Sequence, residues 1–174
     1  GAIALRGQMM LTGEDAWSPM QFENLDNVEC HRDTTGPEIH LQLDPNMPWS
    51  GFVGGAGTGG TMMGLHDYRD KTKFLDYKCV LVVPAEDAQN HGIQGINDGQ
   101  DFLLDPDKMD DVMKVSTADA IERARRLAQE NGLLVGISAG ANVLAAERWI
   151  AKRRPAGVVV TILCDRGERY LSCS

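Results

Sequence analysis

The sequence predicts an α/β fold, a twisted, mostly parallel sheet with flanking helices, and three observations carry that prediction. Two apolar runs, Lys78-Cys79-Val80-Leu81-Val82-Val83 and Gly157-Val158-Val159-Val160-Thr161-Ile162-Leu163, are β-branched and uniformly apolar, as strands buried on both faces are. The short run Gly51-Phe52-Val53 leads through glycine-rich Gly54 to Thr61 into a helical stretch ending near Lys71, so strand, glycine loop, helix and strand follow in βαβ order. Ile121, Ala124, Leu127 and Ala128 then recur at helical spacing, behind a capping pair Ser116 and Asp119 and ahead of Gly132, which predicts a helix over Thr117 to Glu130.

The remaining elements follow from weaker signals. Residues 14–50 hold several Pro and Asp residues and little periodicity, and are expected to be loop-rich with one short helix near Gly36 to Leu41. Glu86 to Val115, rich in Gly, Asp and Asn, reads as a long excursion with two short elements at most. Ala141, Leu144, Ala145 and Ile150 place a further helix over Gly140 to Lys152, stopped before Pro155.

A chain of 174 residues suits one compact domain, or one domain and a piece of another. Its 43% hydrophobic and 24% charged residues fit a soluble globular protein. The longest apolar runs, Val80 to Ala85 and Ala156 to Cys164, fall well short of the roughly 20 residues that span a bilayer, so no membrane association is expected. Arg6 interrupts the opening apolar stretch and no basic leader precedes it, so a cytoplasmic location is expected. The net charge of -8 repels a phosphate backbone and argues against a nucleic-acid partner. Cys30, Cys79, Cys164 and Cys173 form no C-x-x-C pair and read as reduced thiols, with no metal site.

The glycine loop is the first chemical signal. A glycine turn between strand and helix lets successive N–H groups approach a phosphate, and the positive end of the helix dipole favours its charge. Thr58 and Thr61 add hydroxyls. Gly55 to Gly60 also match G-x-G-x-x-G, with Glu86 and Asp87 after the next strand, so a dinucleotide site is the alternative on this motif alone. With Gly59 and Gly60 beginning the helix, replacement of Gly59 by Asp is expected to expel phosphate and leave the fold intact.

Six ordered segments carry a resemblance: Gln21-Phe22-Glu23-Asn24, Thr34-Thr35-Gly36-Pro37-Glu38-Ile39, Gly57-Thr58-Gly59-Gly60-Thr61, Ile93-Gln94-Gly95-Ile96, Gly132 to Gly140, and Cys164 to Ser172. Together they resemble cysteine synthase (O-acetylserine sulfhydrylase) of the fold-type II pyridoxal-phosphate-dependent family. Cys164-Asp165-Arg166-Gly167 is more similar to the B type.

The resemblance implies that Gly57, Thr58, Gly59, Gly60 and Thr61 hold the phosphate of pyridoxal 5'-phosphate and that Ser138 bonds its pyridine nitrogen. It implies substrate-side roles for Gln21, near the substrate carboxylate, and for Gly95, in a mobile loop. A hydroxyl at Ser138 does not favour a protonated pyridinium, which suits loss of a β-leaving group; by position alone Ser138 also reads as a helix N-cap. The reaction implied is a β-replacement forming L-cysteine from O-acetylserine and a sulfur donor, with cystathionine β-synthase activity or a non-catalytic remnant as alternatives.

The family's Schiff-base lysine segment has no counterpart among Lys71, Lys73, Lys78, Lys108, Lys114 and Lys152. The chain is therefore expected to be a C-terminal part that is inactive alone. Residues 1–20 would be a remnant of the small N-terminal domain and 21–174 an incomplete cofactor-phosphate-binding large domain. A homodimer is expected for the full-length enzyme.

Overall fold

A computed structural model describes residues 2–13, 17–88, 90–96 and 100–173. Among them, β1 (Trp49–Gly55), β2 (Lys78–Pro84), β3 (Asp111–Val115) and β4 (Val158–Thr161) form one parallel sheet in the order β3-β2-β1-β4. The register sets Val53 beside Val80 and Val82 beside Met113. β4 pairs with β1 alone, Phe52 lying beside Val160.

Successive strand side chains point to opposite faces, and both faces are covered. Phe52, Cys79 and Leu81 pack with Trp49, Met62, Leu65 and Tyr77 on the side of α4 (Gly60–Thr72). Val53, Val80 and Val82 pack with Val115, Ala141, Ala145 and Trp149 on the side of α5 (Thr117–Asn131) and α6 (Ile137–Arg153). This two-sided burial is why the central strands read as uninterrupted apolar runs.

The α5 boundaries follow the sequence reading: Ser116 Oγ accepts the Asp119 N–H at 3.1 Å, and Gly132 closes the helix at φ 68°. α6 begins three residues before the expected Gly140. Gly140 marks a close approach instead, since a Cβ there would lie 2.2 Å from the Ala120 carbonyl oxygen. Glycine therefore sets the α5–α6 crossing.

The largest departure lies in residues 14–50, of which 14–16 fall outside the described residues. α2 (Asp26–Cys30), a π-helical turn (His31–Thr35) and α3 (Gly36–Gln42) follow one another directly, so the short helix expected near Gly36 to Leu41 is present as α3 and a further helical run precedes it where loop was expected. Pro37 sits in the first turn of α3, directly after the π-helical turn. Gly36 is required by packing, because a Cβ there would lie 2.5 Å from Tyr68 Cγ. The excursion after β2 holds a 3₁₀ turn (Pro106–Lys108) and β3, the two short elements expected. α1 (Ala2–Thr12) is tied to the following turn by an Arg6–Glu23 ion pair of 2.9 Å.

Candidate active site

In a parallel sheet all strands deliver their following loops to the same edge. Here β1, β2 and β3 succeed one another in one direction, and the chain then crosses back to place β4 on the far side of β1. Ligands of open α/β sheets bind at such a reversal, beyond the carboxyl ends of the strands. The glycine loop leaves β1 at that point and enters α4.

Gly59 is the N-cap of α4, in the left-handed region at φ 91°, and the helix begins at Gly60. Among the described residues, the N–H groups of Gly57, Thr58, Gly59 and Thr61 take no acceptor. Thr58 Oγ1 accepts from Asn27 Nδ2 at 3.0 Å and from the Gly60 N–H at 3.3 Å, which occupies its lone pairs and turns its own hydrogen outward. Four N–H groups without acceptors and a hydroxyl hydrogen therefore lie at the positive end of a 13-residue helix. A donor set without acceptors at a helix N-terminus fits a phosphate group.

Neighbouring segments pack tightly on the loop. A Cβ on Gly57 would lie 2.7 Å from the Gly95 carbonyl oxygen, and one on Gly59 would lie 2.3 Å from the Leu104 nitrogen. The Leu103 N–H bonds the Thr58 carbonyl at 3.0 Å. Gly59 thus cannot carry a side chain even before any anion is considered. The expectation that Asp at this position leaves the fold intact does not survive that contact.

Gly95 lies over the loop at φ 82°, exposed, between the buried anchors Ile93 and Ile96. Gln21 is exposed, and its carbonyl accepts from the same Asn27 amide that holds Thr58, at 2.9 Å. Ser138 is 5% exposed and lies inside the first turn of α6, whose N-cap is Gly136, so it is not the cap. One turn later on α6, Asn142 accepts the Gly55 N–H at 2.9 Å and donates to the Ile162 carbonyl at 3.0 Å. The helix bearing Ser138 is thereby fastened to the strand that feeds the glycine loop.

Cys164 follows β4 and does not lie within it. Burial pushes its thiol up, Asp165 adds to the shift, and a bond with the Ser138 hydroxyl opposes it. The Tyr170 hydroxyl donates to Asp165 at 2.5 Å, which holds the phenol up at about 12. The loop after β2 is moored at the start of α5: Glu86 Oε1 accepts the Thr117 N–H at 2.8 Å, and Thr117 Oγ1 accepts the Gly92 N–H at 2.9 Å.

Three supporting residues escaped sequence reasoning. Asn27 bridges Gln21 and Thr58, Asn142 joins β1 to β4, and His31 lies 3.1 Å from Thr61 Oγ1 through Nε2. Only the burial of an amide on an otherwise apolar helix face offered a hint of Asn142. Among the described residues no cluster of three or more His, Cys, Asp or Glu could hold a metal ion, and no helix is long and apolar enough to cross a membrane.

Known proteins are similar to this chain in sequence and fold. Cysteine synthase B of Campylobacter jejuni is 39% identical over 182 residues, covering 99% of this chain and 58% of that protein. A probable cysteine synthase of Bacillus subtilis is 38% identical, covering 91% of this chain and 53% of its own length. Among solved structures, the O-acetylserine dependent cystathionine beta-synthase from Helicobacter pylori superposes with a TM-score of 0.87 at 32% identity, over 99% of this chain and 57% of that one. A hydrogen sulfide-producing enzyme from Fusobacterium nucleatum gives a TM-score of 0.86 at 35% identity, over 99% and 54%. The chain spans about half the length of the curated relatives it matches. The sheet order and flanking helices are those of the fold-type II architecture. The family described as pyridoxal-phosphate dependent enzyme matches residues 2–165, and the chain belongs to it.

Proposed function

We propose that this chain is the cofactor-phosphate-binding part of a pyridoxal-phosphate-dependent transferase that forms L-cysteine by β-replacement from O-acetylserine and a sulfur donor. The observation that carries this reading is the acceptor-free donor set of Gly57, Thr58, Gly59 and Thr61, fastened through Asn142 to the helix bearing Ser138. Bound pyridoxal phosphate supplies an electron sink for bonds at the substrate's α-carbon. The chain's own residues bind and orient. The glycine loop and α4 hold the phosphate dianion, while the neutral Ser138 hydroxyl holds the ring nitrogen without delivering a full proton to it. Gly95, poised over the loop at a backbone angle open to glycine, lets its segment close over substrate and exclude water. Gln21 lies on the substrate carboxylate side.

Residues 1–20 belong, on this reading, to the small domain and 21–174 to the large one, in a cytoplasmic homodimer. None of the six lysines serves the cofactor: Lys71 pairs with Asp33, Lys78 with Asp76 and Lys108 with Asp105, and the rest lie in the α4–β2 link, β3 and the end of α6. The chain alone therefore does not turn over. Calorimetric titration with pyridoxal phosphate and with phosphate-free pyridoxal tests the cradle, and equal affinity for the two sinks it. Borohydride trapping followed by peptide mass spectrometry tests the lysines, and a pyridoxyl adduct on any of the six refutes their exclusion. Assay of the whole enzyme with O-acetylserine and sulfide, against serine and homocysteine, tests the reaction. The structural likeness to an O-acetylserine dependent cystathionine beta-synthase makes O-acetylserine with homocysteine a further pair to assay.

A further inference from the structure

We propose that His31 is a positioning residue that fixes the direction of the Thr61 hydroxyl hydrogen, making Thr61 a donor to a phosphate-class anion in the glycine loop. The inference rests on the reading of that loop as a phosphate site. A chain of three side chains runs from α4 into the π-helical turn: Thr61 Oγ1 lies 3.1 Å from His31 Nε2, and His31 Nδ1 lies 2.8 Å from Thr35 Oγ1. Both ring nitrogens face hydroxyls, which can donate or accept. The approach depends on Gly64, one turn along α4 from Thr61, because a Cβ there would lie 2.5 Å from His31 Cβ. The π-helical turn that carries His31 and Thr35 is a rare local geometry, frequent at functional sites.

The ring is half-buried, and burial lowers its proton affinity, so it acts as neutral imidazole with one N–H and one lone pair. Two hydrogen arrangements satisfy this chain. In one, Thr35 donates to Nδ1, the Nε2–H donates to Thr61, and the Thr61 hydrogen is free to point at the loop. In the other, Thr61 donates to Nε2, the Nδ1–H donates to Thr35, and Thr61 turns only lone pairs outward. An oxyanion distinguishes them, gaining a charge-assisted bond from the first and meeting lone-pair repulsion in the second. Since the Thr61 N–H is also without an acceptor among the described residues, hydroxyl and amide of one residue act on the same anion.

The test titrates the 174-residue chain with pyridoxal phosphate and with inorganic phosphate, by calorimetry, as parent, His31→Leu, Thr61→Val, the double variant and His31→Gln. His31→Leu and Thr61→Val should each weaken binding about ten- to a hundredfold, the worth of one hydrogen bond to a charged group. The double variant should be no weaker than Thr61→Val alone, and His31→Gln, whose amide can still donate to Thr61, should recover part of the affinity. Losses that add independently would overturn the proposal. Nitrogen-15 spectra of the parent's His31 ring decide the matter without any substitution: the Nε2–H tautomer in the phosphate-bound state supports it, and the Nδ1–H tautomer overturns it. A parent that binds neither probe removes the phosphate reading and this inference together. A parent that binds both, with His31→Leu indifferent, removes this inference alone.

Discussion

The Asn142 side chain accepts the backbone N–H of Gly55 at 2.9 Å, closing a contact between residues 87 positions apart in the chain. The same amide donates to Ile162, so one side chain terminates β1 and secures the chain leaving β4. Asn142 is 2% exposed, and its removal leaves an N–H and a carbonyl without partners in a dry environment. Asn142→Ala should cost about 2–4 kcal/mol of stability. Urea denaturation followed by circular dichroism measures it, and a loss under about 1 kcal/mol would mean that water replaces the amide at both ends.

Gly59 and Thr58 weigh packing and anion binding differently. Gly59→Ala combines a left-handed backbone, φ 91°, with a Cβ pressed on the Leu104 backbone, and should cost about 2 kcal/mol or more with or without phosphate. Thr58→Val keeps the shape but removes both the outward hydroxyl hydrogen and the acceptor of the Asn27 amide and the Gly60 N–H, so it should cost about 1–2 kcal/mol of stability and weaken pyridoxal phosphate binding about tenfold or more. A native-like Gly59→Ala, or a Thr58→Val that binds pyridoxal phosphate as tightly as the parent, contradicts the contacts described.

These two sites also show what the sequence made legible. The β1–loop–α4–β2 unit was readable because its signals are contiguous: a strand, a glycine turn and a helix within one stretch. The short helix near Gly36 to Leu41 was readable too, as α3, but α2 and the π-helical turn over residues 26–35 were not, because they show no sustained apolar periodicity and pack on α4 residues such as Gly64 far along the chain. Asn27, His31 and Asn142 act across separations of 31, 30 and 87 residues, beyond any local pattern. Local rules misplaced Ser138 as a cap, since the cap belongs to Gly136.

Glu86 gives a pH signature. The Thr117 N–H, the largest influence, holds the Glu86 carboxyl below its ordinary value of 4.5, with burial opposing. A carboxylate depressed in the folded state contributes stability that is complete above its unfolded value and is lost as pH falls through its folded value. Glu86→Gln should therefore be less stable than the parent by about 1 kcal/mol at pH 7, the scale of a helix-capping bond. The difference should shrink below about pH 4.5, because carboxyls common to both proteins cancel. Paired urea titrations at pH 7 and pH 3.5 check the trend, and a gap that widens in acid is the wrong sign. Hydrogen exchange at Gly92 should quicken in Thr117→Val, which lacks the acceptor of that amide.

The cysteines differ in reactivity. Cys79 is fully buried in β2, and burial, assisted by Asp110 and Asp70 against Arg69, pushes its thiol up to about 12. Cys30 is exposed. Iodoacetamide at pH 8 should modify Cys30 and leave Cys79 untouched until denaturant is added, as peptide mass spectrometry can resolve. Alkylation of Cys79 in the native chain would mean that β2 opens locally.

Among the described residues β4 pairs with β1 alone, and all four of its residues, Val158, Val159, Val160 and Thr161, are β-branched and partly exposed. Its other side offers unsatisfied ladder amides and carbonyls next to side chains with high strand propensity. No proline or charge interrupts these four residues to discourage a second strand. In concentrated solution this rim is where one copy of the chain templates another, so turbidity and thioflavin fluorescence should both respond to a lysine placed at Val159. Colloidal behaviour of the isolated polypeptide is governed at this edge, at the opposite flank of the sheet from β3.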